Sequence, residues 1–315
     1  LAAWLLLTAL ALLLYARREG ETASGGADPR WLLPLAAGLS ALSLLSHGGT
    51  IFSLPALLLF LPGLPRRFLR LPTLATSLLV VLILLAPWSL YQRYDDPPGT
   101  ALLKQHLAGV ETADARSVTG TIRDAYAVLP LADVATRRIS NVTAQVRWDP
   151  KAEDETLADY LRRQQFFHHS ATLDVLCLGL LLVAFRREMP DVRRLLLFAL
   201  LSLVVWIGVL FQGGQAVVHQ GSYVATALLF FCGAAGVARL PRSIHLPLIG
   251  VHLGLFAWLW LIARQTSRST EPLLWQPGMA CLALALFAAF GLALRLVEPV
   301  VGEPIDGEET RVAAA

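Results

Sequence analysis

The sequence predicts an all-α, polytopic transmembrane helical bundle with about nine membrane segments and one long extracytoplasmic loop. Three observations predict it. First, the chain of 315 residues is 56% hydrophobic and only 16% charged, with mean hydropathy +0.59, which is too little charge to cover a water-soluble domain of this length. Second, its apolar runs approach the length that crosses a bilayer, about 20 residues at 1.5 Å each, and they are apolar all round. Third, arginine is concentrated in alternate loops.

The segments fall at 1–15, 31–47, 49–64, 71–90, 171–185, 191–211, 222–238, 244–263 and 275–294. The first begins at Leu1, already inside a hydrophobic run, with Arg17 and Arg18 after it and no basic stretch before it. That order is the reverse of a signal peptide, so the run is expected to be the remainder of a spanning helix whose start lies upstream. The segments 31–47 and 49–64 meet at Ser46-His47-Gly48-Gly49-Thr50 and form either two spans or one re-entrant hairpin.

Arg17, Arg18 and Arg30 flank the first loop, Arg66, Arg67 and Arg70 another, Arg186, Arg187, Arg193 and Arg194 a third, and Arg239 and Arg242 a fourth. The alternate loops are His47–Thr50, 91–170, Gln212–Gly221 and Arg264–Glu271, and of the three short ones only the last carries Arg. Positive-inside bias then places the Arg-rich loops in the cytoplasm with the tail 295–315, and the long loop outside. The domain order is 1–90 spanning, 91–170 extracytoplasmic, 171–294 spanning and 295–315 a disordered acidic tail rich in Pro and Gly. The net charge of +3 is accounted for by arginines beside anionic lipid headgroups, and no nucleic-acid partner is implied.

Cys177, Cys232 and Cys281 lie in apolar segments without CxxC spacing, which fits core-filling thiols better than a disulfide or a zinc site. No P-loop, GxGxxG, HExxH or GxSxG element is present, so no cofactor is implied, although a divalent metal stays open.

Within 91–170 the spacing predicts helices over Thr100–Gly109, Arg116–Leu129 and Glu153–Phe167. In the last, Leu157, Tyr160, Leu161 and Gln164 fall at i, i+3, i+4, i+7, as in a helix lying on the membrane surface. Asn141-Val142-Thr143 matches a glycosylation sequon and is taken as a chance match. His168-His169 reads as interfacial, because adjacent helical residues point about 100° apart and do not share a metal.

Three polar clusters face the same predicted side. Around Trp88–Gly99, an aromatic belt and a Pro/Gly stop explain much of the sequence, but less well Arg93, Lys104 and His106, which are candidates for a lipid-linked phosphate. Their plainer reading is a solvated helix face. The second cluster, Gln212–Tyr223, contributes His219, Gln220 and Tyr223, where the alternative is a tight helix–helix turn. The third is His47-Gly48-Gly49-Thr50, which a glycine turn with a capping Thr also explains. Together they suggest a cavity at the outer membrane face.

At these clusters the chain resembles the membrane glycosyltransferases of the GT-C superfamily, most nearly the aminoarabinose-transferase-like and protein O-mannosyltransferase-like branch. The stretch Ala41–Thr50 followed by Leu54-Pro55 is similar to that branch's hydrophobic run, Lys-Gly pair and downstream Leu-Pro, with His47 standing where the family has Lys. Ala86-Pro87-Trp88 resembles its helix ending in Pro-Trp. The resemblance covers about residues 1–110 and the later multi-span layout. It implies transfer of a sugar from a polyprenyl-phosphate carrier to an extracytoplasmic acceptor at a bacterial inner membrane. The family's catalytic acidic residue, in its first outward loop, would then precede Leu1, and no catalytic base is assigned. The alternatives are a transporter or flippase of a lipid-linked or small polar substrate, which would show inverted repeats and mid-span charges, and a non-enzymatic envelope assembly protein.

Overall fold

The computed structural model describes residues 2–262, except 22–30, 61, 63, 65–68, 95–99, 111–114, 187 and 215–222. The expected segment 275–294, Cys281 and the tail lie outside the described residues. Every regular element among those described is helical.

Helices α1 (Ala2–Glu21), α2 (Leu32–Ser46) and α3 (Leu71–Tyr94) pack side by side, with α2 in the middle. Gly38 makes this approach possible, since a Cβ there would stand 3.1 Å from Val80. Helix α3 leaves Leu71, Leu78, Leu79, Leu82 and Ile83 largely exposed. A hydrocarbon solvent accepts such a face, whereas water penalises a continuous apolar patch of that size. Leu71–Tyr94, Pro190–Val209 and Arg242–Trp260 are long and apolar enough to cross a membrane. Leu5–Ala16, Leu32–Ser46, Leu176–Phe185 and Tyr223–Val237 are shorter apolar helices.

The segment after α2 is not an α-helix. It forms two consecutive 3-10 helices, Gly48–Phe52 and Leu54–Phe60. Gly48-Gly49 and Pro55, which has no N–H to donate, disfavour a continuous α ladder here. At about 2.0 Å per residue, these twelve or so residues cover about 24 Å. Phe52 packs on Trp206 with ring centroids 4.7 Å apart, and Phe60 on Phe198 at 5.9 Å. The segment therefore runs antiparallel to α10 (Pro190–Val209), back toward the end of the bundle from which α2 started.

Between α3 and the C-terminal helices the chain forms α4 (Ala101–Ala108), α5 (Val118–Ala127), α6 (Leu131–Ala144), α7 (Leu157–Phe167) and α8 (His169–Leu173). Helix α4 stops at Gly109, whose φ of +70° closes the helix in the left-handed region. A side chain there would also strike the Phe211 ring at 2.5 Å. Ser117 caps α5 by accepting from the Gly120 N–H at 3.1 Å. Helix α6 is absent from the expected set; its apolar Leu131, Ile139 and Val142 share one face, and that face is exposed. Its polar side chains face the protein.

Helix α7 begins at Thr156, which accepts from the Asp159 N–H at 3.1 Å. Leu157, expected on the apolar face, is exposed, while Gln164 is fully buried, with its Oε1 accepting from the Asp149 N–H at 3.3 Å. Arg163 ties the approach to α7 together, bonding Glu155 at 2.9 Å and Asp149 at 3.4 Å. The Arg163 hydrogen bond holds the Glu155 carboxyl below its usual range. A depressed carboxyl stabilises the fold above the unfolded value, near 4.3, and that contribution is lost as pH falls through the folded value. Glu155→Gln is expected to cost about 0.5–1 kcal/mol at pH 7, and the gap to wild type should close in thermal unfolding below about pH 4. A gap independent of pH would argue against this pair.

His168 and His169 are buried, at 1% and 4% exposure. The His168 ring bonds the Ala144 carbonyl at 2.8 Å and Asp149 at 3.2 Å. Burial, with a smaller push from His168, lowers His169 to about 4, and its Nε2 pairs with the Thr226 hydroxyl at 3.1 Å. Two unlike partner sets explain the adjacent pair without a shared ligand.

The C-terminal helices are α9 (Leu176–Phe185), α10, α11 (Tyr223–Val237) and α12 (Arg242–Ala257), the last continued by a π-helical turn, Trp258–Ile262. Pro190 and Asp191 suit the first turn of α10, where Arg194 closes a 2.9 Å pair with Asp191. Helices α9 and α11 meet through Gly179, Gly233 and Gly236, backbone against backbone. Cys177 and Cys232 are free thiols in this pair of helices.

Candidate functional site

The C-terminal end of α10 organises one end of the bundle. A helix ends with carbonyls that have no partner within it, and in an apolar setting each needs one. Here α6 supplies them. Asn141, fully buried, donates to the Ile207 carbonyl at 3.3 Å and the Leu210 carbonyl at 3.5 Å. Arg138 donates to the Leu210 carbonyl and to the Tyr126 hydroxyl. Arg137 donates to the Phe211 carbonyl at 3.2 Å and lies over the Phe211 ring at 4.5 Å. Cations at a helix C-terminus also meet its negative dipole end. Asn141 is therefore a helix-capping residue, and its burial explains why the sequon around it is fortuitous.

Trp206, one turn back from this end, is 1% exposed and brings His106 together with Phe52, just past the glycine turn. Phe52 packs on one side of it, and the His106 ring stands edge-on at 6.0 Å. The Phe211 N–H donates to the His106 carbonyl at 2.8 Å. Burial lowers the pKa of the His106 ring, which favours the neutral imidazole. The Trp206 Nε1–H is buried with no hydrogen-bond partner. Nearby in the chain, His47 caps its own turn by accepting from the Gly49 N–H at 3.1 Å. Its ring meets Tyr223 edge-on at 5.1 Å.

The expected site residues are thus partly assembled. His47 and Tyr223 form one pair, and His106 joins Trp206. Lys104 is different: it is 2% exposed and engaged within the protein, neither on a solvated face nor open to a carrier phosphate. Arg93 is exposed in the last turn of α3 and lies 5.6 Å from the ring centroid of its neighbour Tyr94. His219 and Gln220 lie outside the described residues. Among the described residues no group of three or more His, Cys, Asp or Glu is arranged to hold a metal ion.

Comparison with protein-family models, with curated proteins and with solved structures finds no match to this chain. The functional reading therefore rests on the residues themselves.

A second constellation lies away from Trp206. Asp174, between α8 and α9, has φ 38° and ψ −116°, a corner that glycine dominates and that costs other residues of order 1–3 kcal/mol. Its Oδ1 accepts from the Val175 N–H, and its Oδ2 pairs with His252 Nδ1 of α12 at 2.8 Å. Phe230 of α11 borders the His252 ring at 5.6 Å. Asp174 also lines a cavity of about 90 Å³ with Trp148, Gln165, Ser170 and the apolar side chains of Leu255 and Leu259. Neither Asp174 nor His252 is among the site candidates read from the sequence. The signal was there, since two ionisable residues within apolar segments are expensive unless they meet.

Proposed function

We propose that this chain is the body of a GT-C-type membrane glycosyltransferase. It moves a sugar from a polyprenyl-phosphate carrier to an acceptor outside the bacterial cytoplasmic membrane, with the nine-segment topology and cytoplasmic C-terminus set out above. The observation that carries the reading is the meeting of the expected outward segments at one end of the bundle. His47 touches Tyr223, and Phe52 and His106 both pack on Trp206. The motif resemblance at 41–55 and 86–88 points to the same chemistry. In this reading, the half-exposed Tyr223 hydroxyl holds a polar group of the carrier-linked sugar. The exposed Arg93 sits where a lipid headgroup phosphate would lie.

The test is transfer of labelled sugar from polyprenyl-phosphate donors in membranes containing the full-length protein. Tyr223→Phe and His47→Ala are each expected to lower transfer about tenfold, the worth of one hydrogen bond of about 1.4 kcal/mol. No transfer from any such donor would sink the reading. A second reading, transport of a lipid-linked or small polar substrate, is favoured by one observation, the pair between Asp174, at the α8–α9 corner, and His252 of the apolar α12. Substrate counterflow in vesicles, with no covalent product, would select it.

A further inference from the structure

We propose that the cavity beside Asp174 is a binding subsite for one hydroxyl-bearing edge of a sugar or polyol. The inference starts from hydrogen-bonding capacity. An ionised carboxylate accepts at about four positions. At Asp174 one position on each oxygen is taken, by the Val175 N–H and by His252, and the residue itself lines the cavity. Ser170 donates its hydroxyl hydrogen to the Val146 carbonyl at 3.1 Å, so its oxygen is left to accept. Gln165 Oε1 receives the Trp260 indole N–H at 3.0 Å and keeps a second lone pair. The polar lining thus offers acceptors at Asp174 and Ser170 and both an acceptor and donors at Gln165, and a hydroxyl, which donates and accepts, complements it. A phosphate or carboxylate would meet oxygen against oxygen.

The walls narrow the choice. Leu255 and Leu259 are apolar and Trp148 offers an indole, which matches the C–H face of a ring carrying hydroxyls at its edge. The volume sets the size. About 90 Å³ holds about three waters at about 30 Å³ each, so one edge of a sugar enters and a whole nucleotide does not. Trp148 is 54% exposed, which leaves the rest of such a ligand outside the mouth. Asp174 holds a glycine-type corner while placing its carboxylate at this cavity, and His252 keeps the carboxylate in position. Naming the occupant as the acceptor of sugar transfer rests on the reading above; the binding itself does not.

The experiment is saturation-transfer NMR on the full-length protein in nanodiscs, with methyl glucoside and glycerol as probes. Both should give saturable transfer in wild type, weakened about fivefold or more by Asp174→Asn and by Trp148→Ala, in line with the loss of a charged or packing contact. Trp148→Ala guards against misfolding at Asp174, since a half-exposed side chain is not needed for the core. No saturable signal in wild type, wild-type signals in both variants, or displacement of the polyols by methylammonium would each overturn the subsite. Saturable polyol binding in a protein that transfers no sugar would overturn the glycosyltransferase reading and leave the subsite standing.

Discussion

Gly236→Ala and Gly179→Ala are expected to abolish the folded state or reduce its yield severely. A Cβ on Gly236 would stand 2.0 Å from the Gly179 carbonyl oxygen, and one on Gly179 would stand 1.8 Å from the Gly233 carbonyl oxygen. Both obstacles are backbone, so no rotamer change relieves them, and α9 and α11 must separate. Overpacking costs about 1–3 kcal/mol where side chains can adjust, and more is expected where a helix pair must move apart. Between membrane helices, close backbone approach supplies much of the attraction, because lipid is as apolar as leucine. The internal controls are Gly208→Ala, Gly250→Ala and Gly254→Ala, whose added Cβ atoms meet nothing within 4 Å. Each should be neutral or slightly stabilising, since Ala is the better helix former by about 1 kcal/mol. Thermal unfolding monitored by size-exclusion in detergent reads both groups. Equal behaviour of the two groups would show that the α9–α11 crossing is looser than described here.

The second large effect is expected at the α6–α10 junction. Asn141→Ala leaves the carbonyls of Ile207 and Leu210 short of a buried donor, at a cost of about 1–3 kcal/mol. Asn141→Asp should cost more, since a carboxylate would then face carbonyl oxygens. Arg138→Lys should not rescue Arg138→Ala, because a single ammonium group does not reproduce the planar fork that reaches both the Leu210 carbonyl and the Tyr126 hydroxyl. Limited proteolysis within 110–150 is the direct measure, with faster cleavage in the order Asp, Ala, wild type at position 141. Unchanged cleavage in Asn141→Asp would contradict the capping role.

The legibility of the fold followed the strength of the apolar signal. Long runs such as 71–90 and 191–211 read correctly as helices, because composition alone decides them. The segment 49–64 was legible as apolar but not as 3-10, since Gly48, Gly49 and Pro55 weaken the α ladder without specifying what replaces it. Helix α6 was not legible. Its Arg137, Arg138 and Asn141 look like solvent-facing residues until the carbonyls they serve, some 70 residues later, are known. Of the candidate site, His47, His106 and Tyr223 carried a local cue in glycine turns and polar placement. Lys104 misled, because charge near a membrane surface does not reveal burial. Asp174 and His252 lie 78 residues apart and show their relation only in three dimensions.

The clamp on the end of α10 also dictates an order of assembly. Residues 137–141 find their partners at 207–211, so α6 is synthesised well before the carbonyls it caps exist. At about 5–20 residues per second, the delay is roughly 4–14 seconds. During that interval Arg137 and Asn141 lack the α10 carbonyls they serve, and Arg138 has only its Tyr126 partner in α5. The emergence of α10 ends the wait. Assembly of this end of the protein is thus timed by the chain's own elongation, and slowing translation between 145 and 205 would lengthen the exposure of α6 to proteases.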